Sequence, residues 1–121
     1  MSYHYDWLMR QIESLTAMLR YLLSGEKTHI ITVDIEAPST AGENPLYFRL
    51  QALVRQEKIC EGENLLFEAL EEPGQQVLDA ALRFYEDLNR LPDETLQRCD
   101  FSREEILEGL REVCARLGIP T

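Results

Sequence analysis

The chain has little of what most catalytic and cofactor sites need. It has only two histidines, His4 and His29, and no second histidine follows either at the i+3 or i+4 spacing of a two-histidine metal face on a helix. The six glycines are scattered, so no glycine-rich phosphate loop is present. No G-x-S-x-G segment marks a nucleophile elbow. We therefore predict no catalytic residue, no metal ligand and no cofactor, and expect that the protein is not an enzyme.

Cysteine patterns and hydrophobic runs are also missing. The three cysteines, Cys60, Cys99 and Cys114, are an odd number and match neither a paired disulfide framework nor a CxxC metal knuckle. The first residues lack a basic segment followed by an apolar run, and the chain has no run of about 18 apolar residues. We expect a cytoplasmic protein with reduced thiols and no membrane partner. A zinc site built from the three cysteines and one histidine is an open alternative.

Basic charge is scarce as well. Twenty-two acidic residues against twelve basic ones give a net charge of −10. Nucleic acids and anionic membranes are polyanions that bind through lysine and arginine, so we expect no nucleic-acid partner. The charge is unevenly spread, because residues 1–25 have two acids and two bases, and the remaining residues supply the whole excess.

What the chain has in abundance is helical periodicity, most clearly over residues 3–24. Leucine and isoleucine recur there at the alternating 4,3 spacing of a coiled-coil seam, and a second apolar stripe flanks them. Together the two stripes are wider than the roughly 100° that packing on one core uses. We predict a self-association face, with a two-fold dimer favoured. Its residues are Trp7, Leu8, Ile12, Leu15, Met18, Leu19, Tyr21 and Leu22. The alternative is a central helix of the monomer, covered on both sides.

The next segments are read as a connection and a helical hairpin. Gly25 is typical of a helix C-cap, and residues 26–44 interrupt the helical pattern, with strand-like alternation over 30–36 that suggests one short strand or an extended arm. Asn44 and Pro45 begin a hairpin over residues 45–71, with its turn near 58–60. The small residues Gly62 and Ala69 are expected to let its two helices approach closely.

Two further helices follow, over residues 75–90 and 103–117. Ser102 and Glu105 form a capping box, and Phe101 with Ile106 a hydrophobic staple. Residues 93–98 are expected to form at most one helical turn. The sequence thus predicts one domain over 1–121, all-α, with about five helices and one possible strand or arm at 30–36.

Two resemblances accompany this pattern. The hairpin and the helix after it resemble tetratricopeptide repeats, since a shift of 34 residues aligns Leu50 with Phe84 and Val54 with Leu88. Four segments resemble a family of small bacterial proteins catalogued as a domain of unknown function: MRQIESL, EGENLLFEAL, ALRFYEDLNRL and DFSREEILEGL. The resemblance implies an all-helical fold of tetratricopeptide-like character, and no activity or ligand comes with it.

From these observations we expect a protein-interaction or scaffold module that forms a homodimer and binds an unknown protein or peptide. One alternative is a regulator that binds a metal or a small molecule in a pocket lined by aromatic residues, namely Tyr47, Phe48, Phe67, Phe84 and Tyr85. A more remote alternative is a hydrolytic enzyme with a cleft that brings one of the cysteines next to a histidine.

Overall fold

The computed structural model describes the backbone of residues 2–29, 44–72 and 74–119 and the side chains of 5–23, 44–72 and 74–119. These residues form six α-helices and no strand, which confirms the predicted all-α class. The helices are α1 (Ser2–His29), α2 (Pro45–Arg55), α3 (Ile59–Ala69), α4 (Gln75–Arg90), α5 (Asp93–Arg98) and α6 (Arg103–Arg116).

Helix α4 is the centre of the fold. It contacts α1, α2, α3 and α6, while α1 also packs on α6 and α2 on α3. The buried residues of α4 span about 200° of its circumference, wider than a stripe that packs on one neighbour, as expected for a helix with neighbours on several sides. Its buried residues are Leu78, Ala80, Ala81, Leu82, Phe84, Tyr85 and Leu88. Removing this surface from water is the main force that assembles the other helices around α4.

Two glycines let neighbouring helices accept the large rings of α4. A Cβ at Gly62 of α3 would lie 3.0 Å from Cε1 of Phe84, and one at Gly109 of α6 would lie only 2.7 Å from Cε1 of Tyr85. The two rings meet edge to face, with their centroids 5.0 Å apart. The small residue at position 62 was expected to bring α2 and α3 together. Its tightest contact is instead with α4.

Three helices end in the same hydrogen-bonded motif. After α2, the amide of Lys58 donates to the carbonyl of Leu53 at 2.8 Å; after α5, Phe101 donates to Leu96 at 2.9 Å; after α6, Ile119 donates to Cys114 at 2.8 Å. This six-to-one bond is the signature of the Schellman motif, in which the residue before the donor adopts a left-handed conformation. Those residues are Glu57 (φ 61°), Asp100 (φ 57°) and Gly118 (φ 74°).

The start of α6 confirms the predicted capping box. The Ser102 hydroxyl accepts from the amide of Glu105 at 3.1 Å, and the Glu105 carboxylate accepts from the amide of Ser102 at 2.8 Å. The staple residues Phe101 and Ile106 are both buried. The sequence thus specified this helix start through contacts between residues close in the chain.

Long-range polar contacts fix two further corners. The Asn44 side chain caps α2 and donates to the carbonyl of Gln76 at 2.9 Å and to the Asp79 carboxylate at 3.0 Å, which joins the starts of α2 and α4. The Arg103 guanidinium donates to the carbonyls of Asn89 (2.8 Å) and Leu91 (3.0 Å). A cation at those carbonyls is stabilised by the negative end of the α4 dipole.

The main difference from the predicted bounds is the end of α1. It was expected to stop at residue 24, but the helix continues through Gly25 to His29, so the predicted connection over 26–44 begins later. A glycine inside a helix costs about 1 kcal/mol relative to alanine, which the continuing i to i−4 hydrogen bonds can offset. The possible strand or arm at 30–36 lies outside the described residues.

Smaller differences concern the turn of the hairpin and α5. The turn between α2 and α3 lies at residues 56–58, slightly before the expected 58–60, because Glu57 takes the left-handed position that ends α2. Residues 93–98 form a helix of their own and not a single turn at most. Pro92, at its N-cap, has no amide hydrogen to satisfy, and Asp93 and Glu94 suit the positive end of the helix dipole.

Candidate interaction surface

One side of α1 belongs to the core. Leu8, Ile12 and Leu19, three members of the seam, are at most 4% exposed, and Leu15 and Met18 are partly buried against the same core. Helix α1 reaches this core through α6 and α4. Much of the predicted self-association face is therefore already covered within one chain. For this side of α1, such coverage is what the alternative of a central helix predicts.

The opposite side of α1 faces solvent and has aromatic residues. Trp7 is 47% exposed and Tyr21 74% exposed. They lie fourteen positions apart with Ser14 midway, and at 100° per residue these three positions differ by at most 40° around the helix. Arg10 and Ala17, also exposed, lie on the same side. We call Trp7, Arg10, Ser14, Ala17 and Tyr21 the α1 outer stripe. Its aromatic ends are about 21 Å apart.

Contacts within the chain hold α1 in a fixed orientation. Arg20 forms an ion pair with Glu86 of α4. Nearer the start of α1, the guanidinium of Arg103 lies 5.8 Å from the ring centroid of Tyr5, within the range of a cation–π contact. The buried seam, the ion pair and the ring contact together keep the outer stripe directed away from the core.

A cleft of about 290 Å³ opens beside the start of α1. Its apolar floor and charged rim come from α1, α5 and the start of α6. The lining residues are Tyr5, Leu8, Asp93, Leu96, Gln97, Phe101, Ser102, Arg103 and Glu104. The amino groups of Arg103 already bond to Asn89, Leu91 and Asp93, so this cation is engaged in holding the fold together.

The aromatic residues named for a pocket lie in different surroundings. Phe84 and Tyr85 are buried in the core, while Phe48 is 51% exposed. Phe67 is partly buried, with the guanidinium of Arg116 located 5.3 Å from its ring centroid. The cleft beside Tyr5 includes none of the five. The sequence could not separate these environments, because aromatic residues fill cores and line pockets alike.

Tyr47, the fifth of these residues, joins a polar network between α2 and α4. Its hydroxyl donates to the Asp87 carboxylate at 2.6 Å, and the guanidinium of Arg83 lies 4.7 Å from its ring centroid. Burial, followed by the hydrogen bond to Asp87, raises the pKa of Tyr47 to about 12. The network therefore adds polar contacts between α2 and α4, which pack against each other through apolar residues elsewhere.

A second tyrosine–carboxylate pair lies deeper. The Tyr85 hydroxyl donates to the Glu63 carboxylate at 2.6 Å. Burial raises the pKa of Glu63, the bond from Tyr85 opposes that effect, and the nearby carboxylates of Glu105 and Glu108 add to it. The pKa of Tyr85 is raised too, chiefly by burial. A carboxylate held this way is suited to orienting the tyrosine between α3 and α6.

The cysteines differ in exposure. Cys60 is exposed, Cys99 half-buried and Cys114 buried, and each is a free thiol. Burial is the largest cause that raises the pKa of the Cys99 and Cys114 thiols. Among the described side chains, those of residues 5–23, 44–72 and 74–119, no three from histidine, cysteine, aspartate or glutamate come together as a metal site requires. Within the described part of the chain, no helix is both long and apolar enough to cross a membrane.

A family model described as a family of unknown function (DUF6483) matches residues 2–118. The predicted membership of a family of unknown function is thereby confirmed. The bacterial origin and the tetratricopeptide-like character expected with it stay predictions. No curated protein and no solved structure matches the chain.

Proposed function

This chain belongs to the family of unknown function DUF6483, and we propose that it acts as a protein-interaction module that self-associates through the outer face of α1. The observation that supports the proposal is the pair of exposed aromatic side chains at the two ends of the outer stripe, Trp7 and Tyr21. Aromatic residues are enriched in protein interfaces because they combine a large apolar area with few rotatable bonds.

The charge distribution favours α1 as the contact between copies. Two molecules with a net charge of −10 repel each other over most of their surfaces. Residues 1–25 have equal numbers of acidic and basic residues, so this segment can approach its counterpart without that cost. Three members of the predicted face, Leu8, Ile12 and Leu19, are covered within the chain, and the proposal therefore uses the outer stripe.

Sedimentation equilibrium tests this proposal over concentrations from about 1 µM to about 1 mM. We expect the wild-type chain to shift from monomer to dimer across this range and the double variant Trp7→Ala/Tyr21→Ala to stay monomeric. Both side chains are exposed, so the double variant should retain its fold, which circular dichroism checks.

Phe48 offers a matched control, because it is an exposed aromatic residue on α2 and not on α1. Phe48→Ala should dimerise like the wild type. A chain that stays monomeric at every concentration, or a Phe48→Ala variant as defective as the double variant, would contradict the proposed role of α1.

The proposal includes a cytoplasmic location and an unidentified protein or peptide as a further partner. Free thiols at Cys60, Cys99 and Cys114 suit a reducing compartment. The acidic surface favours a partner that is not a nucleic acid or an anionic membrane. Bacterial origin and tetratricopeptide-like pairing of α2 and α3 belong to the same proposal.

A small-molecule regulator is the second candidate, favoured by the cleft that Tyr5 and Arg103 help to line. A thermal-shift screen of metabolites and metal ions tests it. A rise in melting temperature that disappears in Tyr5→Ala would support binding in the cleft, and an unchanged melting temperature across the screen would count against it.

A further inference from the structure

We infer that the second copy binds antiparallel, with a two-fold axis passing beside Ser14 of each α1. This inference rests on the proposed self-association and specifies its geometry. It is drawn from the order of side chains along the outer stripe: a large ring at each end, Trp7 and Tyr21, and between them Arg10 followed by the small residues Ser14, at the midpoint, and Ala17.

The spacing of the rings is what fixes the axis. Ser14 is midway between Trp7 and Tyr21, so an antiparallel copy centred on Ser14 sets each Trp7 against the Tyr21 of the other copy. Small residues at the crossing point allow two helix backbones to approach closely, because side-chain size sets the distance between helix axes. A two-fold axis makes both halves of the contact identical, as closed dimers require.

Charge complementarity selects the antiparallel direction over the parallel one. Asp6 and Arg20 are exposed on the same flank of the outer stripe, near its opposite ends. In an antiparallel pair, Asp6 of one copy lies beside Arg20 of the other, about 3 Å apart along the helix axes. A parallel two-fold pair would set this flank of one copy against the opposite flank of the other, so Asp6 and Arg20 would not meet, and only the antiparallel pair joins these opposite charges.

Glu13 should oppose the antiparallel dimer, and its effect on the affinity can be measured. It is exposed on the same flank and lies one residue from the axis, so the two Glu13 side chains approach each other in the antiparallel pair. Their repulsion weakens the dimer. We expect Glu13→Gln to bind its copy several-fold more tightly than the wild type.

Cysteine cross-linking tests the axis directly, in a Cys60→Ser/Cys99→Ser background that removes the more accessible native thiols. A disulfide requires Cα atoms within about 7 Å. Ser14→Cys lies at the axis and should cross-link to its own copy under mild oxidation. Arg10→Cys is the matched control, since its two Cα atoms would be about 12 Å apart along an antiparallel pair and adjacent in a parallel one.

Charge exchange supplies an independent measurement by sedimentation. Asp6→Arg and Arg20→Asp should each weaken the dimer, and the double variant should partly restore it, because the charges between the copies are reversed while the Arg20–Glu86 pair within each copy stays lost. Arg20 also pairs with Glu86, so folding of the Arg20 variants is checked by circular dichroism.

The outcomes separate the geometry from the proposed function. Cross-linking of Ser14→Cys without Arg10→Cys, with partial restoration by the double charge variant, supports the antiparallel pair. Cross-linking of both cysteines, or a dimer that cross-links at neither, overturns this geometry while leaving self-association intact. A chain that is monomeric throughout overturns both.

Discussion

The contact between Gly109 and Tyr85 shows how strongly one missing methyl group can determine packing. Any Cβ at position 109 would lie 2.5 Å from Cζ of the Tyr85 ring, closer than real Cβ contacts come. Tyr85 cannot swing away, because it is fully buried and its hydroxyl is bonded to Glu63 at 2.6 Å. The glycine therefore has a steric role in the middle of α6, where its helix propensity is poor.

Gly109→Ala is expected to lower the free energy of unfolding by about 1–3 kcal/mol, despite the better helix propensity of alanine, because an extra methyl group in a filled core forces rings off their preferred positions. Urea denaturation measures the change. Gly74→Ala adds a Cβ that meets nothing within 4 Å and is disfavoured only by its N-cap position, so it should cost less. A Gly109→Ala variant as stable as the wild type would mean that the core is loosely packed at Tyr85.

Glu63 links stability to pH. Its pKa in the folded protein is raised from the ordinary 4.5, chiefly by burial, so the folded chain holds this proton more tightly than the unfolded chain does. The contribution of Glu63 to stability is therefore fully present below pH 4.5 and is lost as the pH rises through the raised pKa.

Glu63→Gln should remove this loss, because the amide oxygen still accepts from Tyr85 and the side chain does not ionise. We expect the variant to gain stability relative to the wild type as the pH increases from about 4.5 to about 8. Urea denaturation at several pH values measures the difference. Glu61→Gln, an exposed position on the same helix, makes the same change in net charge and should show no such trend. Parallel curves for all three proteins would contradict the assignment.

At the level of helices, two left-handed residues that are not glycine stand out. Glu57 and Asp100 both occupy the position after a helix where glycine is preferred. The carboxylate of Glu57 accepts two hydrogen bonds from Arg98, at 3.0 and 2.8 Å, which ties the turn after α2 to α5. Glu57 thus has a contact that offsets part of its backbone strain.

Asp100→Gly should raise the free energy of unfolding by about 0.5–1 kcal/mol, since the left-handed conformation costs a residue with a Cβ more than the added freedom of glycine costs in the unfolded chain. Glu57→Gly relieves the same strain but loses the exposed ion pair, worth up to about 1 kcal/mol, so its gain should be smaller. Thermal denaturation compares the two. An equal gain in both variants would show that the Arg98 contact contributes nothing.

The helices themselves were mostly predictable, and the reason is local. Ser102 with Glu105, and Asn44 with Pro45, are start signals written within a few residues, and the structure begins α6 and α2 there. The end of α1 was mispredicted because Gly25 is a preference and not a stop. The contacts of Arg103 with Asn89 and of Tyr47 with Asp87 join residues far apart in the chain, and no local pattern reveals them.

At the scale of the whole molecule, the sequence indicated that α1 has more apolar surface than one core covers. Periodicity alone could not say which side would be buried. Three seam residues, Leu8, Ile12 and Leu19, pack inside, and Trp7 and Tyr21 are left at the surface, because the shape of the groove offered by α4 and α6 decides the rotation of α1. Tertiary packing therefore decides which residues form the outer stripe, and the sequence pattern alone does not contain that information.

The net charge of −10 should make stability depend on salt. Excess acidic charge repels itself in the compact state, and the Debye length falls from about 10 Å at 0.1 M salt to about 3 Å at 1 M. We expect sodium chloride to raise the melting temperature by about 2–4 °C over this range. Near pH 4.6, the sequence isoelectric point, the effect should vanish. A melting temperature that falls with salt at neutral pH would indicate that ion pairs such as Arg98–Glu57 outweigh the repulsion.

Phe84 and Tyr85 are consecutive in the chain, and each is seated against a glycine of a different neighbour, Gly62 or Gly109. Consecutive positions on a helix point about 100° apart, so one dipeptide sets the angle between α3 and α6 as seen down the α4 axis. One residue inserted between them would turn Tyr85 away from α6 by that same angle. The middle of α4 should therefore tolerate substitutions more readily than insertions or deletions.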